Sequence, residues 1–349
     1  MMKINLLPAA MILALAGGAH AAEVYKTDNA SMEILGRVKV QGMNNDADPD
    51  HRLKGTARLG VSGRTRVMDN FHVFGYLLYD LAAQDPAPNE DRIKIRYGYA
   101  GFDFNYAGKL SFGRFENAYY RVSAVTDLYD DFGNTGVSYW GLTPNDVGGR
   151  MDGQAMYDVN LNGWFLSASY QFKDASKHVE NGWAGSFGYE FDDVLGSPLG
   201  IMAGYSRFKG RRDDNYGYHA DGFFYGADKT EWGVSAYYGT FRSPGFYAAA
   251  LYNHAWLKNT YLGDGTEVAL SYTTPGGDFT FLGSYGYMKS QRPNYTRYRT
   301  SRLTSGWTFM VSWSPVASMQ TYAEFEHKLK AAYQAENENK ATLGVIYNF

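Results

Sequence analysis

The chain contains no cysteine. That excludes a disulfide framework and any thiolate metal site. It carries little net charge, −3 over 349 residues, so nothing in its electrostatics points to nucleic acid or another polyanion as a partner. Long apolar runs are missing too. The one apolar stretch, Ile4 to Ala16, is interrupted by Asn5 and Pro8 and falls short of the roughly 20 residues a helix needs to cross a bilayer. Lys3 precedes this stretch, and Gly17, Gly18 and Ala19-His20-Ala21 follow it. Positive charge, apolar run and small-residue site in that order read as a secretory signal peptide over 1–21, cleaved ahead of Ala22-Glu23-Val24-Tyr25. The chain is thus expected to be exported and to fold over 22–349 without disulfides.

What is abundant is aromatic and glycine content: 30 Tyr, 21 Phe, 7 Trp and 40 Gly, with a negative mean hydropathy. Many aromatics at low average hydropathy suit a membrane β-barrel. There each strand shows lipid only every second residue, and Tyr and Trp gather at the two interfaces.

The hydropathy period is two almost throughout. Leu343, Val345, Tyr347 and Phe349 alternate with Thr342, Gly344, Ile346 and Asn348. Trp164, Leu166, Ala168, Tyr170 and Phe172 alternate with Ser167, Ser169 and Gln171. Such alternation predicts strands with one apolar and one polar face. Sixteen segments carry it: 31–43, 52–67, 70–82, 91–105, 108–115, 150–159, 163–173, 182–192, 199–208, 229–240, 245–257, 263–273, 277–288, 301–313, 318–330 and 340–349. Seven connections are tight and rich in turn formers, among them Met68-Asp69, Asn160-Leu161-Asn162 and Thr274-Pro275-Gly276. The other eight are mostly longer and more polar. An even strand count with short turns at one end predicts an all-β, 16-stranded antiparallel transmembrane barrel, both termini at the short-turn end. A soluble β-sandwich, the alternative, has no need of such regular loop alternation, and lipid lets a closed barrel be apolar outside.

One connection breaks the pattern. Residues 116–149 follow a short strand, and an unstructured loop beyond about 15 residues is usually functional. It contains Asp127, Asp130 and Asp131, with Tyr129, Phe132, Tyr139 and Trp140, an amphiphilic mixture suited to folding into a barrel lumen. Basic residues fall on the polar faces of neighbouring strands: Arg37 and Lys39, then Lys54, Arg58 and Arg64, then Lys94 and Arg96 opposite Ile93, Ile95 and Tyr97, then Arg150. Acidic loop residues opposed to these across a narrow lumen would create a transverse field. The plainer alternative is that the arginines are ordinary solvated lumen charges.

Several short stretches resemble the general porins of Gram-negative bacteria, and together they span the chain after residue 21. They are Leu35-Gly36-Arg37, the run Ala57 to Gly63 (ARLGVSG), Arg96 to Gly101 (RYGYAG), Phe112-Gly113-Arg114, Gly149 to Gly153 (GRMDG) and the ending Tyr347-Asn348-Phe349. Thr126 to Gly133 (TDLYDDFG) resembles that family's constriction-loop motif, with Asp130 in place of proline, Asp131 in place of glutamate, and Gly133-Asn134-Thr135 in place of Gly-Gly-Asp. The resemblance implies a homotrimer in the outer membrane, in contact with its lipid and lipopolysaccharide, passing ions and small hydrophilic solutes. It implies a basic side of the constriction at Arg37, Arg58, Arg96 and Arg150, and an acidic side at Asp127 and Asp131. It also implies a subunit latch from Asp85 to Arg114 of a neighbour, and an assembly signal at Phe349. No cofactor and no metal are implied. A substrate-specific channel, for an oligosaccharide for example, would want an inward aromatic ladder, whereas the inward aromatics are read as Phe74, Tyr76, Tyr237 and Tyr322. An outer-membrane hydrolase would need a nucleophile beside a histidine. His254 and His327 lie far apart, with no nucleophile motif near either.

Overall fold

The computed structural model describes residues 22–45, 48–83, 91–133, 149–212, 217–218, 224–226, 228–257, 261–290, 302–331 and 336–349. The expected leader, residues 1–21, and Asp85 lie outside them, as do 134–148 of the long loop.

The strands run in order along the chain. They are β1 (Ala22–Lys26), β2 (Ala30–Asn45), β3 (Asp48–Met68), β4 (Phe71–Ala82), β5 (Ile93–Asp103), β6 (Lys109–Phe115), β7 (Met151–Leu161), β8 (Trp164–Gln171), β9 (Val179–Val194) and β10 (Ser197–Gly210). There follow β11 (Gly217–Tyr218), β12 (Phe224–Tyr225), β13 (Lys229–Tyr238), β14 (Gly245–Leu257), β15 (Tyr261–Thr273), β16 (Phe279–Ser290), β17 (Arg302–Val316), β18 (Met319–Lys328) and β19 (Glu338–Asn348). Each strand from β2 to β10 and from β13 to β19 pairs antiparallel with the next, β10 pairs with β13, and β19 returns to β2, so sixteen strands close a ring. All sixteen overlap the segments expected from the period-two pattern. The alternation did not reveal the short β1, which lies along β2, or the two-residue hairpin β11–β12 inside a connection. Of the eight connections read as mostly longer, two are brief, with 46–47 between β2 and β3 and 258–260 between β14 and β15.

The two faces of the sheet are inverted relative to a soluble protein. On β15, Leu270 is 69% exposed while Glu267 is fully buried. Val38, Val40, Trp183, Phe187, Phe281 and Phe309 also stand outward. Apolar outside and polar inside is stable only where the outer solvent is lipid.

Closure at the chain end is specific. Phe349 exchanges backbone hydrogen bonds with Gly36, at 2.7 and 2.9 Å. Its ring lies where residue 36 would carry a side chain, since a Cβ there would sit 2.0 Å from Phe349 Cζ. Only glycine admits that ring on the outer face.

Among the described residues, the main apolar core is inside the barrel. It is made by residues 118–128 against the inner wall: Ala118, Tyr119, Val122, Val125 and Leu128 pack on Ala184, Met202, Tyr237, Tyr247, Ala249, Leu251, Ala269, Leu282 and Met310. The wall is cut back to receive them. A Cβ on Gly204 would meet Val122 at 2.8 Å, and one on Gly233 would meet the Tyr119 hydroxyl at 2.5 Å.

Candidate functional site

The loop after β6 enters the lumen and travels around its wall. Ser169 on β8 accepts from the Ala118 N–H at 3.0 Å, and Ser186 on β9 donates to the Ala118 carbonyl at 2.7 Å. After a single helical turn, Tyr120–Ser123, Tyr247 on β14 donates to the Val125 carbonyl at 2.8 Å and Thr126 donates to Glu267 on β15 at 3.4 Å. Tyr129 donates to the Thr308 carbonyl on β17 at 2.7 Å and accepts from the Ser284 hydroxyl on β16 at 2.9 Å. The Glu324 carboxylate on β18 then accepts the backbone N–H groups of Asp130, Asp131 and Phe132, at 2.7, 3.0 and 3.0 Å. Residues 118–132 therefore line the inner wall from β8 to β18. Side chains carry the contact on to β2, through Arg37 and Lys39 with Asp130 and Asp131, and back to β7, through Arg121 with Asp158.

The wall from β2 to β7 carries the four arginines named from the sequence, Arg37 on β2, Arg58 on β3, Arg96 on β5 and Arg150 just ahead of β7. Arg37 on β2 lies directly across from Arg58 on β3 in the ladder, and Arg58 across from Asp80 on β4. Like charges facing each other across a ladder are destabilising, and here each arginine is paired with an acid, Arg58 and Arg96 sharing one. Asp80 accepts from Arg58 Nε at 3.0 Å and from Arg96 at 3.2 Å. Arg37 donates to Asp130 at 3.1 Å. Arg150 donates to Glu116 at 3.0 Å.

Tyr97 is a correction. Strict alternation puts it on the lipid side, opposite Arg96. A bulge after Ile95 lets Leu78 pair with Tyr97 and Tyr79 with Ile95, which leaves Arg96 as the extra residue. Both side chains then reach the lumen. Tyr97 donates to Glu116 at 2.5 Å, and the guanidinium groups of Arg96 and Arg150 lie 5.8 and 5.6 Å from its ring centre.

The acidic residues divide. Asp131 is ion-paired with Lys39 and accepts from Tyr322 at 2.6 Å. Asp127 is half-buried and accepts from Tyr120 at 2.7 Å. Asp130, to which the sequence reading gave no role, is the hub of the tip. It accepts from Arg37, from Arg242 at 2.9 Å and from Gln320 at 2.7 Å. Burial alone would raise its carboxyl pKa, but Arg242 and Arg37 beside it, with the bonds from Gln320 and Arg242, outweigh that and hold it below the usual carboxylate range. A depressed folded pKa contributes stability above the ordinary carboxylate value, and that contribution is lost only as pH falls through the depressed one. Asp130 therefore keeps its charge, and its pairing with Arg37 and Arg242, through mildly acid pH.

Sequence reasoning missed Asp80, Glu116, Asp130, Arg242 and Glu324. Asp80 was within reach, since it lies on the polar face of β4 at the height of Arg58. The other four depend on where the loop lies. Arg114 is on the outer side of β6, bonded within its own chain to the Ile95 carbonyl and to Asp152, both at 3.0 Å.

The family described as Gram-negative porin matches residues 9–349. The outer membrane porin protein OmpD of Salmonella typhimurium is 25% identical, over the whole of both chains. Among solved structures, OmpF of Salmonella typhi, in complex with daunomycin, superposes with a TM-score of 0.77 at 19% identity, covering 94% of this chain and all of that one. OmpT, an outer membrane protein of Vibrio cholerae described in a trimer form, superposes at 0.68 with 18% identity, over 92% of this chain and 99% of its own.

Proposed function

The chain belongs to the Gram-negative porin family, and from that premise we propose where its pore is narrowed and how it assembles. It is an outer-membrane β-barrel whose water-filled pore serves passive diffusion. The solutes are ions and small hydrophilic molecules. The constriction lies between the loop and the β2–β7 wall, with Asp127 and Asp131 on the loop side and Arg37, Arg58, Arg96 and Arg150 on the wall. The observation that carries this is that the backbone of residues 118–132 is bonded to the wall from β8 to β18, while the arginines stand on the side from β2 to β7, where Arg37 meets the loop at Asp130.

The experiment is swelling of proteoliposomes in sugars of increasing size. Rates should fall smoothly with solute size and show no saturation with concentration. Saturation by one sugar would favour a substrate-specific channel.

The assembly is a homotrimer, in line with the trimer form described for Vibrio cholerae OmpT. The outer face supports it. Trp164, Trp183, Trp232, Trp256, Trp307 and Trp313 point outward on strands from β8 to β17, while β2 and β3 expose Met32, Val38, Val40, Leu53, Leu59 and Val61. Tyr and Trp anchor a barrel at the lipid interfaces, so the wall lacking them suits a neighbouring copy. Arg114, just beyond that wall, would receive Asp85 of the neighbour. The remainder of the outer face meets lipid and lipopolysaccharide. Phe349 acts as the assembly signal, because it supplies both the last backbone bonds of closure and the ring that covers Gly36. Deleting Phe349 should leave protein in the periplasm and abolish the heat-sensitive oligomer band on electrophoresis. Normal outer-membrane trimer from the deletion variant would refute this role.

A further inference from the structure

The turn between β13 and β14 sits at the short-turn end of the barrel, away from the end at which the loop begins. Its residues 239–244 are Gly239-Thr240-Phe241-Arg242-Ser243-Pro244. It folds inward. Phe241 packs 5.7 Å from the Tyr247 ring and joins the cluster beneath the loop. Arg242 has φ +62°, a left-handed conformation that costs a non-glycine residue about 1 kcal/mol or more and persists only when surroundings hold it. Its guanidinium lies 5.2 Å from the Phe241 ring centre and donates to Asp130 Oδ2 at 2.9 Å. One loop carboxylate is thus held by β2, β18 and a turn from the opposite end of the barrel.

We propose that Arg242 is a positioning residue of the pore, a bolt from the periplasmic turn that fixes the loop tip and with it the aperture. This rests on the reading of the loop as the constriction. Arg242 matches a position where this loop gains a charge over the resembled motif, since Asp130 stands where that motif has proline. Arg37 and Gln320 still hold Asp130 when Arg242 is lost, so the tip is loosened and not freed. Removing one charge-assisted hydrogen bond should raise the undocked population roughly tenfold, read as excess open-channel noise and brief steps to a larger conductance. The barrel itself is unaffected, because the β13–β14 ladder pairs from Lys229↔Leu257 to Tyr238↔Ala248 without the turn.

The absence of cysteine makes the test clean. Arg242→Cys should give a noisy channel. Aminoethyl methanethiosulfonate, which installs a cation on Cys, should quiet it, and the sulfonatoethyl reagent, which installs an anion, should not. If R242C records as quietly as the parent, or if both reagents quiet it equally, the bolt is refuted. Arg242→Gln and Arg242→Lys give the same decision by recording alone, noisy and quiet respectively, should the cysteine variant assemble poorly. Arg58→Ser with Arg96→Ser separates the two levels of the claim. A shift in selectivity there with a silent R242C sinks only the bolt, while no shift in either sinks the constriction reading.

Discussion

Replacing Glu324 with alanine should release the loop tip and raise single-channel conductance while leaving the barrel folded. The carboxylate accepts three successive backbone N–H groups, from Asp130 to Phe132. A buried donor left without a partner costs roughly 1–3 kcal/mol, and no other wall residue is shown to take these three. Undocking lets water satisfy them. The segment behind the tip should stay, because Val122 and Leu128 remain buried and each such side chain contributes about 1.5–3 kcal/mol. The variant should therefore open at the tip alone. Glu324→Gln keeps an acceptor oxygen and should fall between. Single-channel recording decides, with heat-modifiable migration reporting the barrel. Parental conductance in E324A would mean that the tip is held by its side-chain contacts and that the three backbone bonds are dispensable.

The second large effect should be on ion selectivity. Arg58→Ser with Arg96→Ser removes two cations and strands the Asp80 carboxylate, which is 39% exposed to the lumen. The other two wall arginines keep their acids, Arg37 with Asp130 and Arg150 with Glu116, so little positive charge is left to compensate. Field strength in a narrow lumen follows such local charge closely. Reversal potentials across a salt gradient should move toward cations, with a wider pore. Asp127→Asn with Asp131→Asn should move the other way, because Lys39 loses its ion-pair partner. Asp80→Asn should also favour anions. If both double variants keep the parental anion-to-cation ratio, these residues do not line the constriction.

The barrel was legible in the sequence because its physics is local. Lipid outside and water inside impose a period of two on every strand, and each of the sixteen strands shows it. Arg37 and Arg58 could be assigned to the polar face of their strands by parity alone. Tyr97 could not, because a single extra residue on β5 reverses parity without disturbing composition. The charge pairs were legible only in part. Ala22–Lys26 alternates too briefly to be noticed, and Asp80 needs the register of three strands before it can be placed between Arg58 and Arg96.

By itself, then, the sequence determined the class of molecule, its sixteen strands and, away from bulges, which face of each strand is apolar. Alternation and turn chemistry act over a few residues and tolerate no second interpretation in lipid. The tertiary structure decided which charge answers which. The tip of the loop meets a carboxylate 194 residues further along the chain and an arginine 112 residues away in a turn. Such partners are chosen by closure of the ring and by the small residues that let Tyr119 and Val122 dock on the wall, so that Asp130 and Asp131 tie the loop to the barrel.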